Sequence, residues 1–179
     1  MYSEILFAGF GGQGVILAGK ILCIAAMNDG KNVSHIPSYG AEMRGGTANC
    51  SVVISDGLIA SPVTPMYDIA VVMNTPSLLK FEKSVRPGGK LLINSSLIDI
   101  EPTRTDIEII KIDANDISEK AGSHKAANMA MLGKLIAVEP ELCSPQALYD
   151  ALDTAISERN KKFNPVNIAV MKLGGGIDV

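Results

Sequence analysis

The chain has 179 residues and a formal net charge of -3, with 47% hydrophobic but only 4% aromatic residues and no Trp. A chain of this length buries roughly 70% of the surface it would expose unfolded, so one domain over residues 1–179 needs no disulfide or metal staple. Dispersed charges offer no basic stripe for a nucleic-acid backbone, and an apolar bulk of Ile, Leu, Val, Ala and Met suits a buried parallel sheet flanked by helices.

Ile5-Leu6-Phe7-Ala8 reads as a short strand, apolar on both faces. Glu4 interrupts this apolar start and no basic segment precedes it, so no signal-peptide pattern is present and a cytoplasmic protein is expected. The glycine-rich run Gly9 to Gly14 follows at once. Val15 to Asn28 then recurs apolar at Val15, Ala18, Leu22 and Ala25, the pattern of a mostly buried helix, and Asp29-Gly30 ends it. Asn32 to Ile36 supplies a second strand, completing a strand-helix-strand unit. Pro37 to Gly46 lacks periodicity and reads as a loop. From Thr47 to Ser55 the alternation of Ala48, Cys50, Val52 and Ile54 with polar residues marks a half-buried strand. Asp56-Gly57 is a hairpin signal returning through Leu58-Ile59-Ala60.

Asp68 to Met73 is a continuous buried strand, and Asn74-Thr75-Pro76 opens a helix with Thr75 as N-cap and Pro76 at its first position. That helix runs to about Val85, where Arg86-Pro87-Gly88-Gly89 stops it. Strands follow at Lys90 to Asn94 and Ile107 to Ile112. Helices are expected over Asp116 to Ala121, Lys125 to Val138, Pro145 to Arg159 behind Ser144, and Pro165 to Leu173 behind Asn164. The stretch from Ala126 to Val138 is too short to span a bilayer, which takes about 20 apolar residues. The pattern predicts an α/β fold: a Rossmann-like, mostly parallel sheet flanked by helices, with an antiparallel hairpin inserted.

Gly9-x-Gly11-x-x-Gly14 has the dinucleotide-binding spacing, with a strand before it and a helix after. Such a turn aims backbone N–H groups outward at a helix N-terminus, where the dipole favours phosphate. A nicotinamide site also needs an acid at the end of the second strand to hold the ribose. Here that strand ends His35-Ile36-Pro37-Ser38, with Asp29 before it and Glu42 well beyond. Three readings therefore stand beside one another: an independent NAD(P)-dependent reductase, a stand-alone coenzyme A or nucleotide-binding module, and glycines that only permit close packing.

In the loop, Arg44 followed by Gly45-Gly46 sets a guanidinium beside backbone N–H groups, a combination suited to phosphate or carboxylate. Ser38 and Tyr39 offer hydroxyls and Glu42 an orienting partner for Arg44; a solvated Glu42–Arg44 pair is the alternative. His35 reads as a packed histidine and His124 as a solvated one at a helix start. Cys23, Cys50 and Cys143, far apart in sequence, read as buried reduced thiols. No triad or metal-ligand set is evident. Asn128, within an apolar run, reads either as a cap on a neighbouring loop or as a ligand contact.

Together, Gly9-Phe10-Gly11-Gly12-Gln13-Gly14-Val15, the loop Ser38-Tyr39-Gly40-x-Glu42-x-Arg44-Gly45-Gly46, and Ser55-Asp56 resemble the gamma subunit of 2-oxoacid:ferredoxin oxidoreductases. Asn74, Ser77-Leu78 and the Pro87-Gly88-Gly89 to Ser96 stretch extend the likeness over about the first hundred residues; Asn128 and Leu132-Gly133 continue it in outline. The resemblance implies a gamma-type domain in a complex that decarboxylates a 2-oxoacid on thiamine diphosphate, reduces ferredoxin through iron-sulfur clusters, and forms acyl-coenzyme A. It also implies that alpha and beta subunits and a ferredoxin-like subunit are partners carrying those centres, and that the chain alone is inactive. It assigns no catalytic residue here, but places Gly9, Gly11, Gly12, Gln13, Gly14, Ser38, Tyr39, Glu42 and Arg44 at a shared coenzyme A site. The loop with Tyr39 and Arg44 reads equally well as a subunit contact. A homodimer of the isolated chain stays open, and 2-oxoglutarate leads over branched-chain 2-oxoacids and pyruvate.

Overall fold

A computed structural model describes residues 1–39 and 47–177. Strand β1 (Tyr2–Phe10) sits in the interior of the sheet, and its residues from Ser3 to Gly9 are all buried. Because successive side chains point to opposite faces, Ile5 and Phe7 enter one core cluster while Leu6 and Ala8 enter another. Helix α1 (Val15–Asn28) has the expected boundaries. It ends at Asp29, followed by Gly30 at φ 81°.

Strand β2 (Asn32–Tyr39) does not lie beside β1. It forms an edge of a six-stranded sheet and pairs antiparallel with β3 (Thr47–Ser55), which in turn pairs antiparallel with β1. The inserted hairpin is thus made by β2 and β3, and the expected return strand at Leu58 to Ala60 does not form. The reason is geometric: β1 and β2 occupy both edges of β3, so no hydrogen-bonding edge remains for residues 58–60. Asp56 instead holds the N-terminal ammonium at 2.6 Å and Lys31 at 3.4 Å.

On the other side of β1 the sheet is parallel, through β4 (Tyr67–Val72), β5 (Val85–Asn94) and β6 (Glu108–Ile112). The expected loop over Arg86 to Gly89 is the beginning of β5. Between β4 and β5 comes α2 (Thr75–Phe81), and its N-cap is Asn74 instead of Thr75. Asn74 is extended (φ -158°) and its Oδ1 accepts the Ser77 N–H at 2.9 Å. A 3-10 turn, Glu82–Ser84, finishes the segment expected to be helical as far as Val85.

The last third forms α3 (Ala114–Lys120), α4 (Ala127–Val138), α5 (Pro145–Ala155) and α6 (Asn164–Gly174). Ser144 caps α5 as expected, accepting the Ala147 N–H at 3.2 Å. A 3-10 turn, Glu158–Phe163, replaces the end of the long helix expected to reach Arg159, and Phe163 precedes α6 where Asn164 was expected to do so. Helices α1 and α4 pack on one face of the sheet, with α5 against α1 and with α3 and α6 against α4, whereas Leu78 of α2 packs on the other. The helices following the adjacent strands β1 and β4 therefore lie on opposite faces. Ligand crevices of open α/β sheets form at the carboxyl ends of such a strand pair.

Candidate functional site

The glycine turn occupies that position. Gly12 (φ 101°) and Gly14 (φ 72°) use left-handed backbone, and the Gln13 N–H closes the turn on the Phe10 carbonyl at 3.1 Å. Gly11 and Gly12 are exposed. Gly14 is the N-cap of α1; no side chain caps this end and no acid lies in its first turn. The first-turn N–H groups of α1 thus lack intrahelical partners, and the first turn itself carries no carboxylate.

Three neighbours fix the turn. Gln13 Oε1 accepts the Phe10 N–H at 2.7 Å and an Asn74 Nδ2–H at 2.8 Å, while Gln13 Nε2 donates to the Met73 carbonyl at 3.3 Å. The Met73 N–H in turn donates to the Ala8 carbonyl at 2.9 Å. From α4, buried Asn128 donates Nδ2–H to the Gly14 carbonyl at 3.1 Å and so ties the turn to α4. Close approach explains two glycines. A Cβ on Gly9 would lie 2.8 Å from Gln13 Oε1, and one on Gly14 would lie 2.4 Å from Asn128 Nδ2. A Cβ on Gly12 would meet nothing within 4 Å, so its role is conformational and its surface stays open.

A cleft of about 330 Å³ opens beside Gly12 and Gln13. Met73 after β4, Leu97 after β5 and Ala127 form apolar wall; Asn115, His124 and Lys125 make the polar side. Asn115 Oδ1 accepts an Asn94 Nδ2–H at 2.9 Å, which ties this wall to the carboxyl end of β5. Ala127 begins α4, another helix with no side-chain cap and no acid in its first turn. His124 pairs with Glu119 at 3.4 Å. Lys125 and two helix N-termini consequently give the cleft a positive lining. Sequence reading missed Met73, Leu97, Asn115 and Lys125; the signal available was a His-Lys pair immediately before an uncapped helix.

Ser38 and Tyr39 lie at the same end of the sheet. Tyr39 is level with Ala48 and Ala48 with Gly9, so Tyr39 stands two strand spacings, about 10 Å, from the glycine turn. It is 71% exposed, and neither residue lines the cleft. Glu42 and Arg44 lie outside the described residues. His35 packs from β2 against α1, its Nε2 buried without a hydrogen-bond partner and 3.1 Å from where a Cβ on Gly19 would sit. Burial and the nearby Lys20 charge lower its pKa. Cys23, Cys50 and Cys143 are buried free thiols, each pushed up to about 12 chiefly by burial. Among the described residues no three His, Cys, Asp or Glu side chains gather as a metal site, and no helix is long and apolar enough to cross a membrane.

The fold defines the chain as an α/β domain with a glycine turn at a sheet switch point. A family model described as pyruvate ferredoxin/flavodoxin oxidoreductase matches residues 4–177, and the chain belongs to that family. The ketoisovalerate oxidoreductase subunit VorA of Methanothermobacter marburgensis is 35% identical over 171 residues, 96% of this chain but 35% of that protein. The chain thus spans about a third of that relative's length. The 2-oxoglutarate synthase subunit KorC of Methanocaldococcus jannaschii is 34% identical over 166 residues, covering 89% of each. Among solved structures, the gamma subunit of a keto/oxoacid ferredoxin oxidoreductase from Geobacter sulfurreducens superposes with TM-score 0.83 at 29% identity, covering 97% of this chain and 96% of that one. The family read from the glycine turn and the following loop is therefore the family found.

Proposed function

We propose that this chain is the gamma subunit of a multisubunit 2-oxoacid:ferredoxin oxidoreductase, a single gamma-type domain over residues 1–179 that contributes to coenzyme A binding and docks on the thiamine-diphosphate-bearing subunits. The observation that carries the reading is the glycine turn itself, whose open amides and uncapped helix α1 meet Lys125 across one cleft. This donor set fits a diphosphate: backbone N–H groups, a helix dipole and an ammonium, with apolar Met73 and Leu97 alongside for a nucleotide or pantetheine portion. Gly11, Gly12, Gln13 and Gly14 are assigned to the diphosphate side, with Gly9 allowing the turn to pack. Ser38, Tyr39, Glu42 and Arg44 are assigned to the far side of the same coenzyme A or to the subunit contact.

Thiamine diphosphate and the iron-sulfur clusters are assigned to partner subunits, with ferredoxin as electron acceptor. The substrate assigned is 2-oxoglutarate, supported by the KorC relative that matches over most of both chains. A branched-chain 2-oxoacid is the second reading, supported by the ketoisovalerate oxidoreductase relative. An independent NAD(P) site is disfavoured by topology: antiparallel β3, not β2, adjoins β1, so the end of β2 is one strand too far away to clamp a ribose from the usual place. Purifying the native complex and assaying viologen reduction with a panel of 2-oxoacids, with and without coenzyme A, tests the proposal. Coenzyme A-dependent turnover with 2-oxoglutarate is expected; recovery of the chain with no thiamine-diphosphate subunit would overturn it.

A further inference from the structure

The geometry points to Asn74 as a positioning residue: it locks the Gln13 amide in the orientation that Phe10 and Met73 favour, and through that amide holds the glycine turn in the form that receives its ligand. This inference rests on the turn being the coenzyme A site. Asn74 is buried and uses both ends of its side chain. Its Oδ1 accepts the Ser77 N–H at 2.9 Å and caps α2, whereas its Nδ2 donates to Gln13 Oε1 at 2.8 Å. The capping bond serves α2 alone. The second bond joins residues 61 positions apart and places a donor where only an oxygen satisfies it.

That donor acts with the Phe10 N–H and the Met73 carbonyl to lock which way the Gln13 amide faces. With Oε1 held between the Phe10 N–H and Asn74, the amino end must lie toward the Met73 carbonyl, on the residues that line the cleft. An amide has two N–H bonds; one is given to Met73, and the second is available to an acceptor in the cleft. Were the amide reversed, its amino group would confront the Phe10 N–H and its oxygen the Met73 carbonyl, two like-with-like contacts. Asn74 therefore adds a third bond of the same sense, tying the amide to the start of α2 and locking the polarity that Phe10 and Met73 favour.

Asn74→Ser and Asn74→Asp separate capping from positioning, since Ser, Asp and Asn cap helices about equally well while neither replacement keeps the amide N–H. The pair also separates loss of the donor from added charge. In the assembled complex, Asn74→Ser should raise KM for coenzyme A about tenfold, the equivalent of one lost hydrogen bond, with kcat changed less than about twofold. Amide exchange over Phe10 to Val15 should quicken by a similar factor while that of α2 stays as in the parent. Unchanged exchange in the turn, or faster exchange confined to α2, would overturn the positioning role. Faster exchange in the turn with an unchanged KM for coenzyme A would uphold the positioning and overturn the coenzyme A reading of the turn.

Discussion

Replacing Gly14 by Ala probes the contact between the turn and α4, and its cost can be worked from two separable sources. The first is backbone: at φ 72° an L-residue with a Cβ pays about 1–2 kcal/mol. The second is steric, because the new Cβ would lie 2.4 Å from Asn128 Nδ2, about 1 Å inside ordinary van der Waals contact at 3.4 Å. The Asn128 amide must swing away, losing its 3.1 Å bond to the Gly14 carbonyl inside a buried site. An unsatisfied buried amide costs about 1–3 kcal/mol, so with the backbone part the expected total is about 2–5 kcal/mol. In an Asn128→Ala background the clash and the bond are both gone, and Gly14→Ala should cost only the backbone part. Urea denaturation of the four proteins completes a double-mutant cycle, with an expected coupling of about 2 kcal/mol. Equal costs for Gly14→Ala in both backgrounds would refute the Asn128 contact as the reason for glycine here.

Helices α4 and α6 cross at backbone contact, since a Cβ on Gly133 would fall 1.9 Å from the Met171 carbonyl oxygen. Gly133→Ala should therefore destabilise by about 2–3 kcal/mol despite the better helix propensity of Ala, lowering Tm in a thermal melt; a raised Tm would contradict the crossing. His35 carries a lowered pKa, so the unfolded chain binds a proton that the folded chain resists. Stability should fall as pH drops below 6.5, its unfolded value, and His35→Gln should flatten that slope in denaturant titrations from pH 7 to 5. The three thiols, with pKa values pushed to about 12, should resist iodoacetamide at pH 8 in the folded chain and react together once urea unfolds it; rapid labelling of native protein would refute their burial.

Local signals carried much of the fold. Helix α1 was legible to the residue because a left-handed glycine precedes it and Asp29-Gly30 follows it, both punctuation marks with a backbone cause. What periodicity does not encode is which edge a strand offers to which neighbour. The alternation in Thr47 to Ser55 marked β3 as a strand, but its seat between β1 and β2 depends on pairings across the chain. Asn74 and Thr75 are both cap-forming residues side by side, and the choice falls to Asn74 through its extended backbone and its bond to distant Gln13. The walls of the candidate cleft were legible only in their local part for the same reason. Gly9 to Gly14 announces itself through spacing, whereas Lys125 joins it from over a hundred residues away, by the packing of α4 against α1 and the sheet.

In the proposed function the glycine turn and Lys125 share one anionic ligand, coenzyme A. The most direct test is the coenzyme A dependence of 2-oxoacid oxidation by the complex assembled with Lys125→Glu, beside the parent. Reversing one charge in the cleft should raise KM for coenzyme A by about tenfold or more, with stronger loss at low ionic strength and little change in KM for the 2-oxoacid. A coenzyme A dependence indistinguishable from the parent at low salt would contradict the assignment.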